Sequence, residues 1–335
     1  TFVLKASWFN LIGVCSSGST GIPKIASRKS KPWQALPLLN LMFRQLPFLR
    51  LKQIFVMTPI CHAAGLTATL MAFSFAKPVI LQSRFDIENA KQLIQRHGIA
   101  CLNLVPTLLF KLLQSNANLS TVSTIISGSA PLNPRLYQDF QQAYPHIQLY
   151  NLYGSSETGI NILATPQDLQ QQPQSIGKAI RGVKTKILNV QGHPVKMGEI
   201  GILWTRCGWS IRPNQWMQCG DLATQDEQGY FYLKGRQDDM LICGGINVYP
   251  VDLENLLLMH PAIHFAQAYA VADEERGQCL SVNVLLHQSD LPISQADIQA
   301  WLQQHAPRYL RPKHIHFITD IATDSIGKPC RPNPE

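Results

Sequence analysis

Apolar runs of strand-like sequence alternate with amphipathic helical patterns through the first half of this chain. The helical patterns occupy residues 86–98 and 133–145, and several strand-like runs end directly in glycine- and serine-rich turns. A strand followed by a helix and then by another strand favours parallel pairing, with helices covering the sheet. The sequence therefore predicts an α/β fold whose ligands gather at the carboxyl ends of the strands. The strand-like runs are QIFVMTP, PVILQS, ACLNLVP, TIISGSAPL and IQLYNLYGSSETG, at residues 53–59, 78–83, 100–106, 124–132 and 147–159.

From about Lys178 the pattern changes to short β segments separated by glycine turns, which indicates a β-rich subdomain. After residue 237 a compact segment follows that combines helical and strand patterns. We therefore predict a large N-terminal domain of parallel sheets with helices plus a β-rich subdomain, at residues 1–237. A small, mobile α+β C-terminal domain is expected at residues 238–335. Its predicted elements are a helix at 249–261, strands at 265–273 and 280–288, and a helix at 294–306.

Composition limits the classes of function that the chain can serve. Its 335 residues suffice for two domains, and 45% hydrophobic against 15% charged residues fits a globular protein. The formal net charge of +8 suits nucleic acid, a membrane surface or an acidic small molecule. Nucleic acid is the weakest of these, because no basic helix with interleaved aromatic residues and no zinc-finger spacing occurs. A phosphate-rich substrate accounts for the charge equally well.

The eight cysteines are scattered without a C-x-x-C pair, which favours reduced thiols and a cytoplasmic location. We find no apolar run long enough to span a bilayer and no signal-peptide pattern. The chain begins at Thr1 in the middle of a pattern, so we expect it to be a piece of something longer.

The segment CSSGSTGIPK at residues 15–24 follows an apolar strand-like run and carries little side-chain bulk. Its glycines permit close approach of a ligand, its hydroxyl groups donate hydrogen bonds, and its lysine adds positive charge, as in loops that bind phosphate. A solvated turn is the alternative. The segment is neither a Walker A motif nor a kinase-type glycine-rich loop. The residues concerned are Ser16, Ser17, Gly18, Ser19, Thr20, Gly21 and Lys24.

Four further motifs follow in order: YGSSETG, CGDLAT, KGRQDDMLICGGINVYPVDLE and DSIGKPCR. Together with the first loop, this series resembles the acyl-adenylate-forming (AMP-binding) superfamily of acyl-CoA synthetases, luciferases and adenylation domains of peptide synthetases. The resemblance extends from about Cys15 to Arg331. Cys219 stands where the superfamily usually has threonine, Pro329 follows the last lysine, and the superfamily's usual N-terminal portion is not in the sequence.

The resemblance implies an ATP site. The loop at residues 16–24 then contacts the β- and γ-phosphates, and Asp221 binds the ribose hydroxyls with Arg236 beside it. Ser156 touches the α-phosphate, and Glu157 is the Mg²⁺ ligand. Residues implied to contact adenine are Gly128, Ser129, Ala130, Asn151 and Tyr153.

The same resemblance implies two half-reactions. Lys328 assists adenylation, Asp238 is a hinge without a charge role in either half-reaction, and Gly245 lets the pantetheine of CoA pass the backbone. Alone, Gly245 is also consistent with a plain turn glycine. His62 either lines an acyl channel or is an ordinary core histidine.

We therefore expect an acyl-CoA synthetase, active in fatty acid metabolism, that uses ATP, Mg²⁺ and CoA to convert a carboxylic acid into an acyl-AMP and then a thioester. Two alternatives remain: an adenylation enzyme that loads a carrier-protein thiol, and a non-catalytic nucleotide- or acyl-binding module. Oligomeric state has no signal in the sequence, and the acid is not identified.

Overall fold

A computed structural model describes residues 12–16, 24–28, 36–47, 49–82, 85–287, 293–324 and 327–330. The loop residues Ser17, Gly18, Ser19, Thr20 and Gly21 lie outside the described residues. Ser16 ends strand β1 (Ile12–Ser16) and Lys24 begins strand β2 (Lys24–Arg28), and only their backbone is described. These two strands pair in antiparallel fashion.

A seven-stranded sheet forms the centre of the N-terminal part, in the order β4-β3-β5-β6-β7-β8-β9. The five strands from β4 to β7 are parallel, which confirms the predicted parallel sheet, while β8 and β9 add to it in antiparallel fashion. The strands are β3 (Ile54–Val56), β4 (Val79–Leu81), β5 (Cys101–Leu104), β6 (Thr124–Gly128), β7 (Gln148–Ser155), β8 (Gly159–Ala164) and β9 (Lys178–Ala179).

Helices cover both faces of this sheet. Successive side chains of a strand point to opposite faces, so each central strand contributes to a buried cluster on either side. Phe55 and Leu102 belong to a buried cluster on one face, whereas Ile54 and Cys101 belong to a second cluster that includes Trp209. Both faces of the central strands are thus removed from water, as parallel sheets require. The helices are α1 (Leu36–Arg44), α2 (Ala63–Ser74), α3 (Ile87–His97), α4 (Pro106–Gln114), α5 (Pro134–Ala143) and α6 (Pro166–Gln171).

A four-stranded antiparallel sheet follows, in the order β10-β11-β12-β13. Phe231 and Leu203 of this sheet pack with Ile162 of β8 in one buried cluster, so the sheet is anchored on the antiparallel side of the larger one. The predicted β-rich subdomain is present. Its strands are β10 (Lys184–Leu188), β11 (Gly201–Arg206), β12 (Met217–Gln225) and β13 (Phe231–Arg236).

Beyond a 3-10 turn at Gln237–Asp239, a five-stranded sheet with two helices begins, and we refer to residues 238–335 as the C-terminal domain. Strand order is β15-β14-β17-β16, with β18 parallel to β17. Leu253, Val282 and Ile298 belong to a buried cluster made only of residues from this segment. The elements are β14 (Leu241–Cys243), β15 (Ile246–Val248), α7 (Pro250–Leu257), β16 (Ile263–Asp273), β17 (Gly277–Leu286), α8 (Gln295–His305) and β18 (His314–Phe317).

Within the described residues, no helix is both long and apolar enough to cross a membrane. Cys101, Cys219, Cys243 and Cys279 are buried thiols. Burial raises the pKa of the Cys219 thiol to about 11, so this side chain is a protonated, weakly reactive group at neutral pH.

Candidate active site

The parallel register of the large sheet brings several predicted site segments to one edge. His62 follows β3, Ser129 and Ala130 follow β6, and Ser156 follows β7. Gly128 at the end of β6 pairs with Leu152, and Ser127 pairs with Asn151, so the two segments implied to contact adenine are direct neighbours. The carboxyl ends of parallel strands are where α/β sheets bind ligands.

The segment after β6 has an unusual backbone and lies beside unpaired polar atoms. Ser129 adopts a φ of 67°, a left-handed conformation that is uncommon outside glycine and is often found at functional sites. Asn151 is 3% exposed, and its Oδ1 has no hydrogen-bond partner among the described residues; the same holds for Oγ of Ser127. A buried polar atom without a partner costs about 1–3 kcal/mol, so a ligand that donates a hydrogen bond here is favoured.

Tyr153 and Asp221 meet although they lie 68 positions apart in the chain. The hydroxyl group of Tyr153 on β7 donates to Oδ2 of Asp221 on β12 at 2.5 Å. Burial raises the pKa of the Asp221 carboxyl group, and the hydrogen bond from Tyr153 and the charge of Arg236 oppose that rise. Burial also raises the pKa of the Tyr153 hydroxyl group well above its ordinary value, which keeps it protonated as a donor.

Arg236 links Asp221 to the start of the C-terminal domain. It lies opposite Asp221 in the register of β12 and β13, with 3.5 Å between Nη1 and Oδ1. Its Nε donates to Oδ1 of Asp238 at 2.9 Å, and its Nη2 lies 3.4 Å from Oδ2. Asp238, which is expected to act as a hinge, therefore also forms a two-pronged ion pair with Arg236 in this arrangement.

Ser156 and Glu157 lie on a turn whose shape is set by neighbouring hydroxyl groups. Oγ of Ser155 accepts hydrogen bonds from the backbone N–H groups of Glu157 at 3.2 Å and Thr158 at 3.0 Å. Gly154, just before the turn, must lack a side chain, since a Cβ there would lie 2.0 Å from the carbonyl oxygen of Gly159. Both Ser156 and Glu157 are half-buried.

A segment that sequence reasoning did not include in the site supports this turn. The backbone N–H of Ile211 donates to the carbonyl oxygen of Glu157 at 2.9 Å, and Nε1 of Trp209 donates to the carbonyl oxygen of Ile160 at 3.0 Å. Trp209 is 2% exposed. The sequence of this segment, CGWSIRPNQWMQ at residues 207–218, contains two tryptophans, and only the tertiary structure decides that Trp209 is buried.

Lys328 lies on a hairpin of the C-terminal domain that faces the N-terminal domain. The backbone N–H of Lys328 donates to Oδ1 of Asp324 at 2.9 Å, and the N–H of Asp324 donates to the carbonyl oxygen of Lys328 at 2.8 Å. A Cβ on Gly327 would lie 3.2 Å from side-chain atoms of Val105 and Leu108, so this hairpin packs on the beginning of α4.

The ammonium group of Lys328 lies within electrostatic reach of the Asp221 and Arg236 pair. Burial lowers the pKa of Lys328, the carboxylates of Asp324 and Asp221 oppose that effect, and Arg236 adds to it. The structure thus brings together Tyr153, Asp221, Arg236 and Lys328, which come from two sheets and one hairpin.

Two predicted site residues lie on other segments of the chain. His62 is half-buried at the beginning of α2, with an extended backbone and no capping hydrogen bond from its side chain. Gly245 is exposed in the two-residue turn between β14 and β15, with a φ of 84°. A Cβ on Gly245 would meet nothing within 4 Å, so the backbone conformation by itself explains this glycine.

Glu157 stands alone as a candidate Mg²⁺ ligand. In the part of the chain that the structure describes, one group of three histidine or acidic side chains could surround a metal ion, and it does not include Glu157. Mg²⁺ in nucleotide sites is commonly held by one or two carboxylates together with substrate phosphates. A single half-buried carboxylate beside the turn therefore fits an ion that arrives with a nucleotide.

Comparisons with known proteins agree with this geometry. Residues 14–211 match the model of the AMP-binding enzyme family, and residues 252–328 match that of the AMP-binding enzyme C-terminal domain. The chain is 27% identical to the uncharacterized acyl-CoA ligase YhfT of Bacillus subtilis, over 94% of this chain and 66% of that protein. It is also 27% identical to the 2-succinylbenzoate–CoA ligase of Oceanobacillus iheyensis, over 95% of this chain and 68% of that protein.

Among solved structures, ATP-bound MatB from Rhodopseudomonas palustris superimposes with a TM-score of 0.79 at 25% identity, covering 94% of this chain and 65% of that one. The chain thus spans about two thirds of the length of these relatives. The matched family model covers more than half of the chain and includes the sheet edge, the two segments implied to contact adenine and the turn with Glu157. This chain belongs to the AMP-binding enzyme family.

Proposed function

We propose that this chain forms an ATP-dependent acid–thiol ligase, which converts a carboxylic acid into an acyl-AMP and then into a thioester of CoA. The observation that carries this proposal is the position of Lys328. It lies half-buried on the C-terminal hairpin, within electrostatic reach of Asp221 and Arg236 at the edge of the N-terminal domain. A positive charge beside a candidate ribose- and phosphate-binding group is what adenylation requires.

In the first half-reaction, an oxygen of the substrate carboxylate attacks the α-phosphorus of ATP. The new bond joins that oxygen to phosphorus, the bond to the β-phosphate breaks, and pyrophosphate leaves. Asp221, with one oxygen held by Tyr153 at 2.5 Å, keeps lone pairs for the ribose hydroxyls. The unpaired Oδ1 of Asn151 suits the exocyclic amino group of adenine.

Charge builds up on the phosphate oxygens as the carboxylate attacks. The hydroxyl of Ser156 and the ammonium group of Lys328 are the groups of this chain that we assign to the α-phosphate. Mg²⁺, held by Glu157, supplies further neutralisation of the phosphates when it is bound. The loop at residues 16–24, most of which lies outside the described residues, is assigned to the β- and γ-phosphates.

In the second half-reaction, the sulfur of CoA attacks the carbonyl carbon of the acyl-AMP. The bond to AMP breaks, and the thiol proton passes to solvent. Lys328 has no task in this step, and Asp238 lies at the junction where the C-terminal domain would turn away. In the present arrangement Gly245 is exposed, and a Cβ there would meet nothing within 4 Å, so its assignment to pantetheine requires that rotation.

His62 is our candidate for the acid-binding side of the site. It follows β3 at the same sheet edge and is half-buried, rather than fully enclosed as a core histidine would be. If it lines the acyl channel, His62→Ala changes the preference among acids and leaves ATP affinity intact. An unchanged preference combined with a lower melting temperature would assign His62 to the core.

Acid-dependent exchange between ATP and radiolabelled pyrophosphate tests the proposal on the whole chain. The panel of acids contains medium- and long-chain fatty acids, aryl acids and 2-succinylbenzoate, and equilibrium binding of ATP is measured in parallel. We expect exchange with at least one acid and formation of the CoA thioester. Binding of ATP without exchange would favour a nucleotide-binding module, and the absence of both would overturn the proposal.

A further inference from the structure

A second cluster of ionisable side chains lies where the two domains meet, away from the candidate active site. Asp139 belongs to α5 of the N-terminal domain, whereas His264 on β16 and His287 just after β17 belong to the C-terminal domain. One ligand atom from each of the three residues lies within 4.8 Å of the others. All three residues are half-buried.

Local structure directs both histidines into this interface. The pairing of β16 with β17 shifts between Ile263 and Phe265, so His264 sits at a bulge, a feature that re-aims a side chain. The ring of His264 lies 4.4 Å from the ring of Phe110 on α4 and 4.2 Å from that of His287, measured between centroids.

One nitrogen of each imidazole ring is buried and has no hydrogen-bond partner among the described residues. These atoms are Nδ1 of His264 and Nε2 of His287. Burial lowers the pKa of His264 to about 4 and also lowers that of His287. Both rings are therefore neutral at physiological pH, and neutral imidazole is the form that ligates metals.

We propose that Asp139, His264 and His287 bind one divalent transition-metal ion across the domain interface, with Zn²⁺ as the best match. Two imidazoles and a carboxylate are common zinc ligands, and a water molecule completes a tetrahedral set. Ligand atoms about 2.0–2.2 Å from the ion stand roughly 3.4 Å apart, so the widest pair has to close by roughly 1.4 Å. Small side-chain rotations at half-buried positions provide that movement.

Neighbouring residues bear on this site in opposite ways. The side-chain Nε2 of Gln114, an amide N–H donor, contacts Nε2 of His264, which leaves the ring proton on Nδ1. A metal at Nδ1 requires this amide to turn over, so that its carbonyl oxygen accepts from Nε2–H of His264 and holds the metal-binding tautomer. Arg135 pairs with Asp139, with 3.0 Å between Nε and Oδ1, and competes with the ion for that carboxylate. Loss of Gln114 should therefore weaken metal binding, whereas loss of Arg135 should strengthen it.

An ion at this position joins α5 to the C-terminal domain in the arrangement that holds Lys328 near Asp221. This consequence rests on the proposed function: the bound ion would permit adenylation and slow the thioester step, which needs the domain to turn. Metal binding itself does not rest on that function.

The binding test uses the whole chain, a chromophoric zinc chelator as competitor, and Co²⁺ as a spectroscopic probe of tetrahedral coordination. We expect one Zn²⁺ per chain, at least tenfold weaker binding in Asp139→Asn, His264→Gln and His287→Gln, and roughly tenfold weaker binding in Gln114→Ala. Arg135→Gln should bind more tightly. His316→Gln removes an exposed histidine of the same domain and should bind as the unaltered chain does.

Three results would overturn the site: no stoichiometric binding, equal affinity in the three ligand variants and the unaltered chain, or weakening by His316→Gln to the same degree. Folding of each variant is checked by its thermal unfolding without metal. Zn²⁺ that binds tightly but affects both half-reactions equally would support the metal site. It would contradict the inference that the ion holds the C-terminal domain in the adenylation arrangement. If metal-free protein shows neither half-reaction, that result contradicts the proposed function and not the metal site, because the binding measurements do not depend on activity.

Discussion

Lys328→Ala is the substitution that most directly probes the proposed division of labour between the two half-reactions. Lys328 is half-buried, and its backbone is held by Asp324 through two hydrogen bonds, so truncation of the side chain leaves the hairpin in place. The variant removes one positive charge beside Asp221 and Arg236. We expect loss of acyl-AMP formation and retention of thioester formation from acyl-AMP and CoA supplied directly.

The size of the effect follows from burial. Burial lowers the pKa of Lys328, which indicates a partly dehydrated site. Two unit charges about 4 Å apart interact with roughly 4 kcal/mol at the effective dielectric constant of such a position, against about 1 kcal/mol in water. Arg236 remains and supplies part of this stabilisation. We therefore expect adenylation to fall on the order of 100- to 1,000-fold, as for removal of one transition-state donor.

The assay separates the steps. Pyrophosphate exchange reports adenylation, and release of AMP from synthetic acyl-AMP in the presence of CoA reports thioester formation. Because the pKa of Lys328 is lowered, its charge is lost below the pH at which an ordinary lysine deprotonates. Adenylation should accordingly decline on the alkaline side, and Lys328→Arg, whose charge persists, should shift that decline upward if it retains activity.

Lys313→Ala is the matched control, since Lys313 lies in the same domain, is 43% exposed and pairs with Asp273 at 3.0 Å. It should leave both half-reactions nearly unchanged. Equal loss of both half-reactions in Lys328→Ala would refute the reasoning, as would a comparable loss of adenylation in Lys313→Ala.

Three further predictions concern the same site. Tyr153→Phe leaves Oδ2 of largely buried Asp221 without its donor, so the free energy of unfolding in urea should fall by about 1.5–3 kcal/mol; an unchanged value would contradict the pairing. Asp238→Asn removes an exposed ion pair with Arg236, worth about 0.2–1 kcal/mol, and should change the ratio of the two half-reactions no more than about fivefold. Asp238→Pro fixes the backbone φ at the hinge, so it should spare adenylation and abolish thioester formation. Glu157→Gln should slow adenylation at least about tenfold, and exchange at the normal rate would remove Glu157 from the site.

Some features of this protein could be predicted from the sequence because their signals are local. Alternating strand and helix patterns indicated the parallel sheet from β4 to β7, and short β segments with glycine turns after Lys178 indicated the β-rich subdomain but not its antiparallel strand order. Periodicity of apolar residues follows from the geometry of a single strand or helix, so it is readable without knowledge of the neighbours. The order of the five motifs similarly carried the resemblance to the AMP-binding family.

Other features depended on tertiary structure, because they join residues that have no sequence relationship. The register of β12 against β13, together with packing against β7, decided that Tyr153 and Arg236 share Asp221. In the sequence, Asp238 was only a hinge, and its ion pair with Arg236 emerged from the course of the backbone after β13. Trp209 and Ile211 likewise reach the turn of Glu157 only through the folded chain.

The cluster of Asp139, His264 and His287 shows most clearly what could not be predicted from the sequence. These residues lie on two domains, none belongs to a recognisable metal-binding spacing, and a bulge in β16 aims one of them. A sequence pattern records the preferences of neighbouring residues, whereas domain packing decides which distant side chains share a buried space. Local chemistry thus determined the elements and the motifs of this protein, and the meeting of its sheets and domains decided which charges face each other.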